Sequence, residues 1–347
     1  MKYIICQDWS NTTNNHAGMK YLAIQLKNLY PDEYDVLVVP DFYKKIFQTK
    51  NSLKRRFLFH YAKVEYLFCL RKLTRILMGK LKAGDTVFLF EYLEKMTPQL
   101  YLVECIKKKF PNMEINAIVH LTPQKLDKAF NQTDFQKWIK PISKVVTLGS
   151  SLTTYLMKRG IESNRLLTTF HYVDSNFYHR EKALNNKKVS VIAMGNQMRN
   201  IVLLKDIVKN NPNVFFTICQ GVSDMSADFY DMKNVRLIPF VPEAELKNYM
   251  EEADISLNVM VDTIGSNVIV TSMAMGLAMI CSDVGSIRDY CDDTNSLFCD
   301  NADDDSFSGA IQTLSLNLEL LKSMKESSVR KAKTLSIDLF KESLDKL

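Results

Sequence analysis

No stretch of about 20 consecutive apolar residues occurs anywhere in the chain, which excludes a membrane-spanning helix. The opening Met1-Lys2-Tyr3-Ile4-Ile5-Cys6 runs straight into polar Gln7-Asp8, so no secretory leader is expected and the cytoplasm is the expected location. The seven cysteines are scattered, with no Cys-x-x-Cys pair and no Cys/His cluster. That argues against a zinc site or a disulfide framework and for buried, reduced thiols, and no metal is expected. Glycine is scarce, 11 in 347 residues, and no Gly-x-Gly-x-x-Gly lies in 7–18 after the first apolar run or in 194–199 after a later one. A nicotinamide-dependent oxidoreductase is therefore set aside. Disorder is excluded as well, because 46% of the residues are hydrophobic and Phe and Tyr are plentiful.

Charge is unevenly spread. Residues 42–82 hold twelve Lys and Arg against Glu65 alone, a charge of +11 in a chain whose net charge is +6, so the remainder is acidic. The basic residues, among them Lys54, Arg55, Arg56, Arg71 and Lys72, alternate with Phe57, Phe59, Tyr61, Phe68 and several leucines. Two readings stay open. A basic, aromatic-rich amphipathic segment suits an anionic membrane surface, as a peripheral protein on the inner face of the plasma membrane would need. A core helix with a solvated basic face has the same composition. Nucleic acid is not an expected partner, since the charge sits on one segment without a recognition motif.

What is present in quantity is alternation of apolar strand-like runs with helical spacing. Strands are predicted at 2–7, 36–39, 86–90, 115–119, 144–147 and 166–170, with helices at 19–29, 61–78, 100–109 and 152–159. After a charged, aperiodic stretch at 180–188, strands recur at 189–194, 214–219, 235–239, 254–260, 278–281 and 297–299. Helices are predicted between them at 201–208, 243–250 and 268–275, and from the acidic turn at 300–305 through Leu347. The pattern predicts an α/β protein of two doubly wound, Rossmann-like domains. The expected divisions are 1–178, a linker at 179–188, a second domain at 189–325 and a C-terminal helix at 326–347.

In such sheets ligands sit beyond the carboxyl ends of the strands, where helix N-termini point amides at anions. The strongest candidate is the unit at 253–288, where a strand leads through Gly265, Ser266, Asn267 and Val268 into a helix stopped by Gly276. Arg199, next to a predicted helix start, suits bidentate phosphate contact, or is a surface arginine. His120 at the end of the fourth strand is either a cleft residue or a hydrogen-bonded structural imidazole. His16, in the polar loop after the first strand, is either a ligand contact or part of a helix-entry loop.

The succession Met273-Ala274-Met275-Gly276 followed by Ser282-Asp283-Val284-Gly285 resembles the donor-binding segment of family-four (group 1) retaining glycosyltransferases with the GT-B fold. Three further segments are similar to that family. Val173-Asp174 to Phe177 resembles the close of its first domain, Gly195 to Asn200 its phosphate-gripping turn, and Val235 to Leu246 its nucleobase loop. The resemblance implies two domains facing across a cleft and a last helix that crosses back to the first. It also implies transfer, with retention and without a metal, of a sugar from a nucleotide-diphospho-sugar to a hydroxyl of a glycan or lipid-linked acceptor, as in surface polysaccharide or glycolipid synthesis. No cofactor beyond the donor as co-substrate is implied. It assigns Gly195, Arg199, Asn200, Phe240, Val241, Gly265, Ser266, Asn267, Val268 and Thr271 to the donor, and it places His120 and His16 near the transferred sugar. The family's paired glutamates fall on Thr263 and Thr271, which lack charge. An enzyme with an unusual donor, one using another carboxylate such as Asp262, and a non-catalytic sugar- or partner-binding relative are all compatible with that change.

Overall fold

Apolar runs buried on both faces are the sequence form of parallel strands covered by helices, and the computed structural model of the protein builds two such sheets. It describes residues 1–9, 16–41, 52–181, 188–221 and 224–347, with backbone alone at 52–60 and 62. The first sheet contains β1 (Lys2–Asp8), β2 (Tyr34–Pro40), β3 (Thr86–Tyr92), β4 (Glu114–Val119), β5 (Lys144–Thr147) and β6 (Leu166–Thr168). Its order is β2-β1-β3-β4-β5-β6, and every pairing is parallel. The second contains β7 (Ser190–Ala193), β8 (Phe215–Gly221), β9 (Val235–Pro239), β10 (Ile255–Asn258), β11 (Ala278–Ser282) and β12 (Ser296–Cys299). Its order is β12-β11-β10-β7-β8-β9, again wholly parallel. Each sheet winds in both directions from an interior pair, so the expected α/β doubly wound architecture is present twice. The reversal lies between β1 and β3 in one and between β7 and β10 in the other.

The chain divides into two compact units, 1–148 with 153–168 and Leu347, and 149–152 with 169–346. Residues 169–178, expected in the first domain, group with the second. Val173 N–H bonds to Leu335 O at 2.8 Å, Thr169 and Ser343 share a hydroxyl bond at 2.7 Å, and the Phe170 ring meets Phe340 edge-on. These partners lie on or just before the last helix, Ile337–Leu344. At the start of the expected linker, Arg180 donates to Met275 O, Glu251 O and Ala253 O at 3.2, 2.7 and 2.8 Å. Those carbonyls end the helices Asn267–Ala274 and Glu243–Glu251 and lead into β10, where a cation offsets the negative pole of the helix dipole. Residues 182–187 lie outside the described residues.

In the first unit the structure adds two helices not foreseen from the sequence, Pro123–Ala129 and Gln132–Ile139. Each has about two turns, too few for a clear period. They are held by Arg159, whose guanidinium lies 4.5 Å from the Phe135 ring centroid and donates to Asp127 Oδ1, Tyr155 Oη and Phe130 O. The helix predicted at 61–78 is longer, Ser52–Lys80. Among the described residues no helix is long and apolar enough to cross a membrane. The core of the second unit is built from Leu204, Ile207, Phe216, Leu257, Ile280 and Phe307, all at most 1% exposed. It fixes β7, β8, β10 and β11 side by side, with their carboxyl ends on one edge.

Candidate ligand site at the carboxyl edge of the second sheet

Because β7 and β10 are neighbours whose chains continue in opposite directions, the segments leaving them must part, and a crevice opens between them. Residues 194–200 leave β7 and residues 259–266 leave β10, and the two segments are tied to each other. Asn200 N–H donates to Val259 O at 3.0 Å and Val261 N–H to Met198 O at 2.8 Å, giving an isolated antiparallel bridge between Arg199 and Met260. The turn needs left-handed backbone at Gly195 (φ +79°) and at Met198 (φ +58°). A side chain at Met198 makes that conformation costly, as is common where a loop is shaped for a ligand. At Gly195 a Cβ would sit 2.9 Å from Val268 Cγ2, so the absence of a side chain lets the β7 turn approach the first turn of helix Asn267–Ala274.

That helix start is braced from three sides. Ser266 caps it, its Oγ accepting from Val268 N at 3.2 Å, and the first-turn amides of a helix have no partners within it. Thr263 is 4% exposed and its Oγ1 accepts from Gly265 N at 3.3 Å, holding the turn at Gly265 (φ +102°). Beyond β11, Ser286 N–H donates to Thr263 O at 2.7 Å, while Gly285 (φ +55°) lies where a Cβ would collide with Thr263 O and Asp262 Oδ1. Ser151 adds a bond from its N–H to Ser286 Oγ at 3.0 Å. The Ser-Asp-Val-Gly segment noted in the sequence thus buttresses the β10 turn. Thr271 donates its hydroxyl proton to Asn267 O at 2.6 Å, leaving its oxygen as an acceptor.

Arg199 sits one residue before the cap of helix Ile201–Asn210, where Asn200 Oδ1 accepts from Leu203 N at 3.2 Å. Its guanidinium reaches the exit of β8, with Nη1 donating to Cys219 O at 3.2 Å. Nη2 is buried and finds no hydrogen-bond partner among the described residues. Burial lowers its pKa to about 10, so the group stays cationic at neutral pH. Asn196 packs its amide against Gly221 at the end of β8, and among the described residues its buried Oδ1 also finds no partner. Phe240, 48% exposed, and half-buried Val241 follow β9 on the same edge. Burial pushes the half-buried Asp262 carboxyl up, against the pull of Thr263 N–H at 2.8 Å. All the residues expected to meet a donor therefore gather along one edge, and Asp262 stands among them. A separate crevice of about 740 Å³, lined by Arg180, Asp254, Met275, Lys322 and Lys325, lies at the opposite, amino edge.

The two histidines belong to the first unit. His120 directly follows β4, and burial, with the charge of Lys125 second, lowers its pKa to about 4, so it is neutral at pH 7. His16 precedes helix Met19–Leu29, its ring 4.7 Å from that of Tyr21. Residues 10–15 of its loop lie outside the described residues. Sequence reasoning passed over Glu91, whose carboxylate accepts from Trp9 Nε1 at 3.0 Å through both oxygens. Its signal was a single acidic residue closing an apolar strand, Thr86-Val87-Phe88-Leu89-Phe90-Glu91-Tyr92. Among the described residues no three His, Cys, Asp or Glu side chains converge as metal ligands would.

Residues 188–317 match the family model described as "Glycosyl transferases group 1". No curated protein matches the chain in sequence. Solved structures match it end to end. Sucrose-phosphate synthase from Thermosynechococcus elongatus is 12% identical, with a TM-score of 0.73 over 100% of this chain and 98% of its own. The Anabaena protein HepE in complex with UDP-glucose is 12% identical, with a TM-score of 0.70 over 99% and 100%. The lipopolysaccharide outer core galactosyltransferase WaaB is 14% identical, with a TM-score of 0.68 over 100% of both. At such identities the likeness is one of fold, and the fold is GT-B.

The packing of Gly195 on Val268 predicts the effect of Gly195→Ala. The added methyl meets Val268 and forces a side-chain-bearing residue into left-handed backbone, a cost of roughly 1–3 kcal/mol. Amide exchange at the N-terminal turn of helix Asn267–Ala274 is expected to accelerate while that in β11 stays unchanged.

Proposed function

We propose that the protein is a glycosyltransferase that takes a uridine-diphosphate sugar and transfers the sugar to a hydroxyl of a glycan or lipid-linked acceptor, in surface polysaccharide or glycolipid synthesis. The observation that carries the reading is the meeting of the β7 turn with the N-terminus of helix Asn267–Ala274 at the reversal of the second sheet, inside the group 1 domain. A diphosphate in that crevice receives amides of the helix start, and the spare Nη2 of Arg199 adds a cationic donor. Both aim positive charge at the oxygen that gains negative charge as the sugar leaves. Phe240 and Val241 stand along the edge where the base would lie. The preference for uridine draws on the UDP-glucose held by the fold relative HepE.

Charge stabilisation by fixed amides and a guanidinium leaves no step that needs a metal, so turnover independent of divalent ions, with retention at the anomeric carbon, is part of the proposal. His120, neutral at pH 7, serves as a hydrogen-bonding group toward the sugar, and His16 as an acceptor-side contact. A second reading, a relative that binds without turnover, is favoured by Thr263, whose buried hydroxyl braces Gly265 where the family carries a carboxylate. Asp262, beside it and half-buried, supplies a carboxylate in the first reading.

A peripheral membrane contact completes the proposal. Helix Ser52–Lys80 exposes Tyr61, Val64, Leu67, Phe68 and Ile76 together with Lys63, Arg71, Lys72 and Arg75. Exposed apolar side chains interleaved with cations along one helix suit an anionic bilayer surface. Residues 42–51 of the basic segment lie outside the described residues.

Incubation with a panel of nucleotide sugars in the presence of EDTA tests the central claim. UDP release from a UDP-sugar is expected, and Arg199→Ala is expected to weaken UDP binding by about tenfold or more. Tight UDP binding without turnover of any donor would select the non-catalytic reading. For the membrane contact, co-sedimentation with vesicles containing anionic phosphatidylglycerol is expected and falls off with added salt. The triple change Phe68→Asp, Arg71→Glu and Lys72→Glu should abolish it, and retained binding returns the helix to a solvated face.

A further inference from the structure

The crevice at the amino edge of the second sheet lies wholly within the second unit, and the donor reading makes no use of it. Its volume, about 740 Å³, is in the range that holds a small organic molecule. One wall is a single face of helix Leu318–Ala332, where Leu318, Leu321, Lys322, Lys325 and Val329 follow at helical spacing. Met275 and Gly276, at the end of helix Asn267–Ala274, line it too. A Cβ on Gly276 would sit 3.2 Å from Val329 Cγ2, so the two helices are held close at that point. The lining is mainly apolar. Leu318 is 62% and Val329 36% exposed, while Leu321 and Met275 are buried.

Its charges are out of balance. Asp254 Oδ1 accepts from Lys325 Nζ at 2.8 Å, and its Oδ2 accepts from Ser190 N and Oγ at 3.2 and 3.3 Å. Arg180 gives three of its five N–H donors to backbone carbonyls and forms no ion pair among the described residues. Two partly buried cations therefore share one carboxylate, with Glu251 acting on Arg180 more weakly than Asp254 does. Burial lowers the pKa of both cations against the pull of Asp254, and the charge of Arg180 lowers that of Lys325 further. Lys322, exposed and without an ion pair among the described residues, stands one turn before Lys325. Glu326, exposed on the same helix, is the opposing charge, so three cations stand against two carboxylates. The first turn of helix Leu318–Ala332 adds its positive pole, and Arg180 covers the negative pole of helix Asn267–Ala274 at Met275 O.

We propose that this crevice binds an amphipathic anion, its carboxylate or phosphate head taken by Arg180, Lys322 and Lys325 and its apolar chain packed on Leu318, Leu321 and Val329. The proposal is independent of the glycosyl-transfer reading. A guanidinium with spare N–H groups beside two ammonium groups matches an oxyanion, and the charge that the oxyanion brings offsets the unbalanced cations. An inorganic anion would leave Leu318 and Val329 in water. A chain attached to the head covers them, and removing that apolar area from water favours binding.

Isothermal titration calorimetry and hydrogen–deuterium exchange on the full chain test the site. The probes are decanoate and decyl phosphate, kept below the concentration at which they form micelles. Decyltrimethylammonium, acetate and inorganic phosphate are the controls. At least one probe is expected to bind about tenfold or more tightly than every control and to slow exchange at residues 274–276 and 318–329. The tighter probe identifies the head as carboxylate or phosphate. Lys322→Glu and Leu318→Asp are each expected to weaken binding by about tenfold, and Lys322→Arg to retain it. Both positions are exposed, so melting without ligand is expected to match the parent, which separates a lost site from a lost fold. Four results overturn the proposal: no binding of either probe, equal binding of any control, protection confined to other segments such as 61–80, or full affinity in both Lys322→Glu and Leu318→Asp.

Discussion

Two backbone hydrogen bonds, from Asn200 N–H to Val259 O and from Val261 N–H to Met198 O, join segments that leave adjacent strands and then wind apart. Topology alone would leave an open crevice between β7 and β10. The bonds convert it into a floor, across which Gly195 rests on Val268 and the helix starting at Asn267 points inward. The rest of the second unit serves that geometry. The core from Leu204 to Phe307 sets the strands side by side, Ser286 and Gly285 support the turn from the β11 side, and Arg180 fastens the far end of the same helix. A helix held at both ends is a fixed dipole, and a fixed dipole loses no free energy to reorganisation when charge develops in front of it.

The two reversals of strand order carry different chemistry. In the second unit the polar groups on offer are amides and a guanidinium, suited to an anion. In the first the Glu91 carboxylate stands beside the Trp9 indole, and a neutral imidazole, His120, follows the next strand, β4. That division matches a reaction in which one ligand is a diphosphate and the other an alcohol. Fold does not by itself specify activity.

Much of this was legible in the sequence because its signals are local. Helix Met19–Leu29 follows from apolar spacing, β9 from an apolar run closed by Pro239, and the turn at Gly265 from glycine beside a Ser-Asn cap. The positions of Gly195, Gly265 and Gly285 along one edge followed from a family pattern, and the structure supplies its physical meaning: close approaches at Gly195 and Gly285 that no larger residue allows, and left-handed backbone at Gly265. What stayed hidden depends on distant partners. The helices at Pro123–Ala129 and Gln132–Ile139 are held by Arg159, and residues 169–173 join the second unit through Leu335, Phe340 and Ser343. Glu91 was invisible because its importance lies in a bulge and in an indole 82 positions earlier, neither of which leaves a mark on residue spacing.

The account stands on the claim that a nucleoside diphosphate is held by the segments leaving β7 and β10. Hydrogen–deuterium exchange with and without saturating UDP measures this most directly. The account predicts slowed exchange at residues 195–200 and 261–268, with smaller changes at 239–241. Binding of UDP that protects other segments, such as 318–329 at the amino edge, while leaving 195–200 and 261–268 unchanged would contradict it.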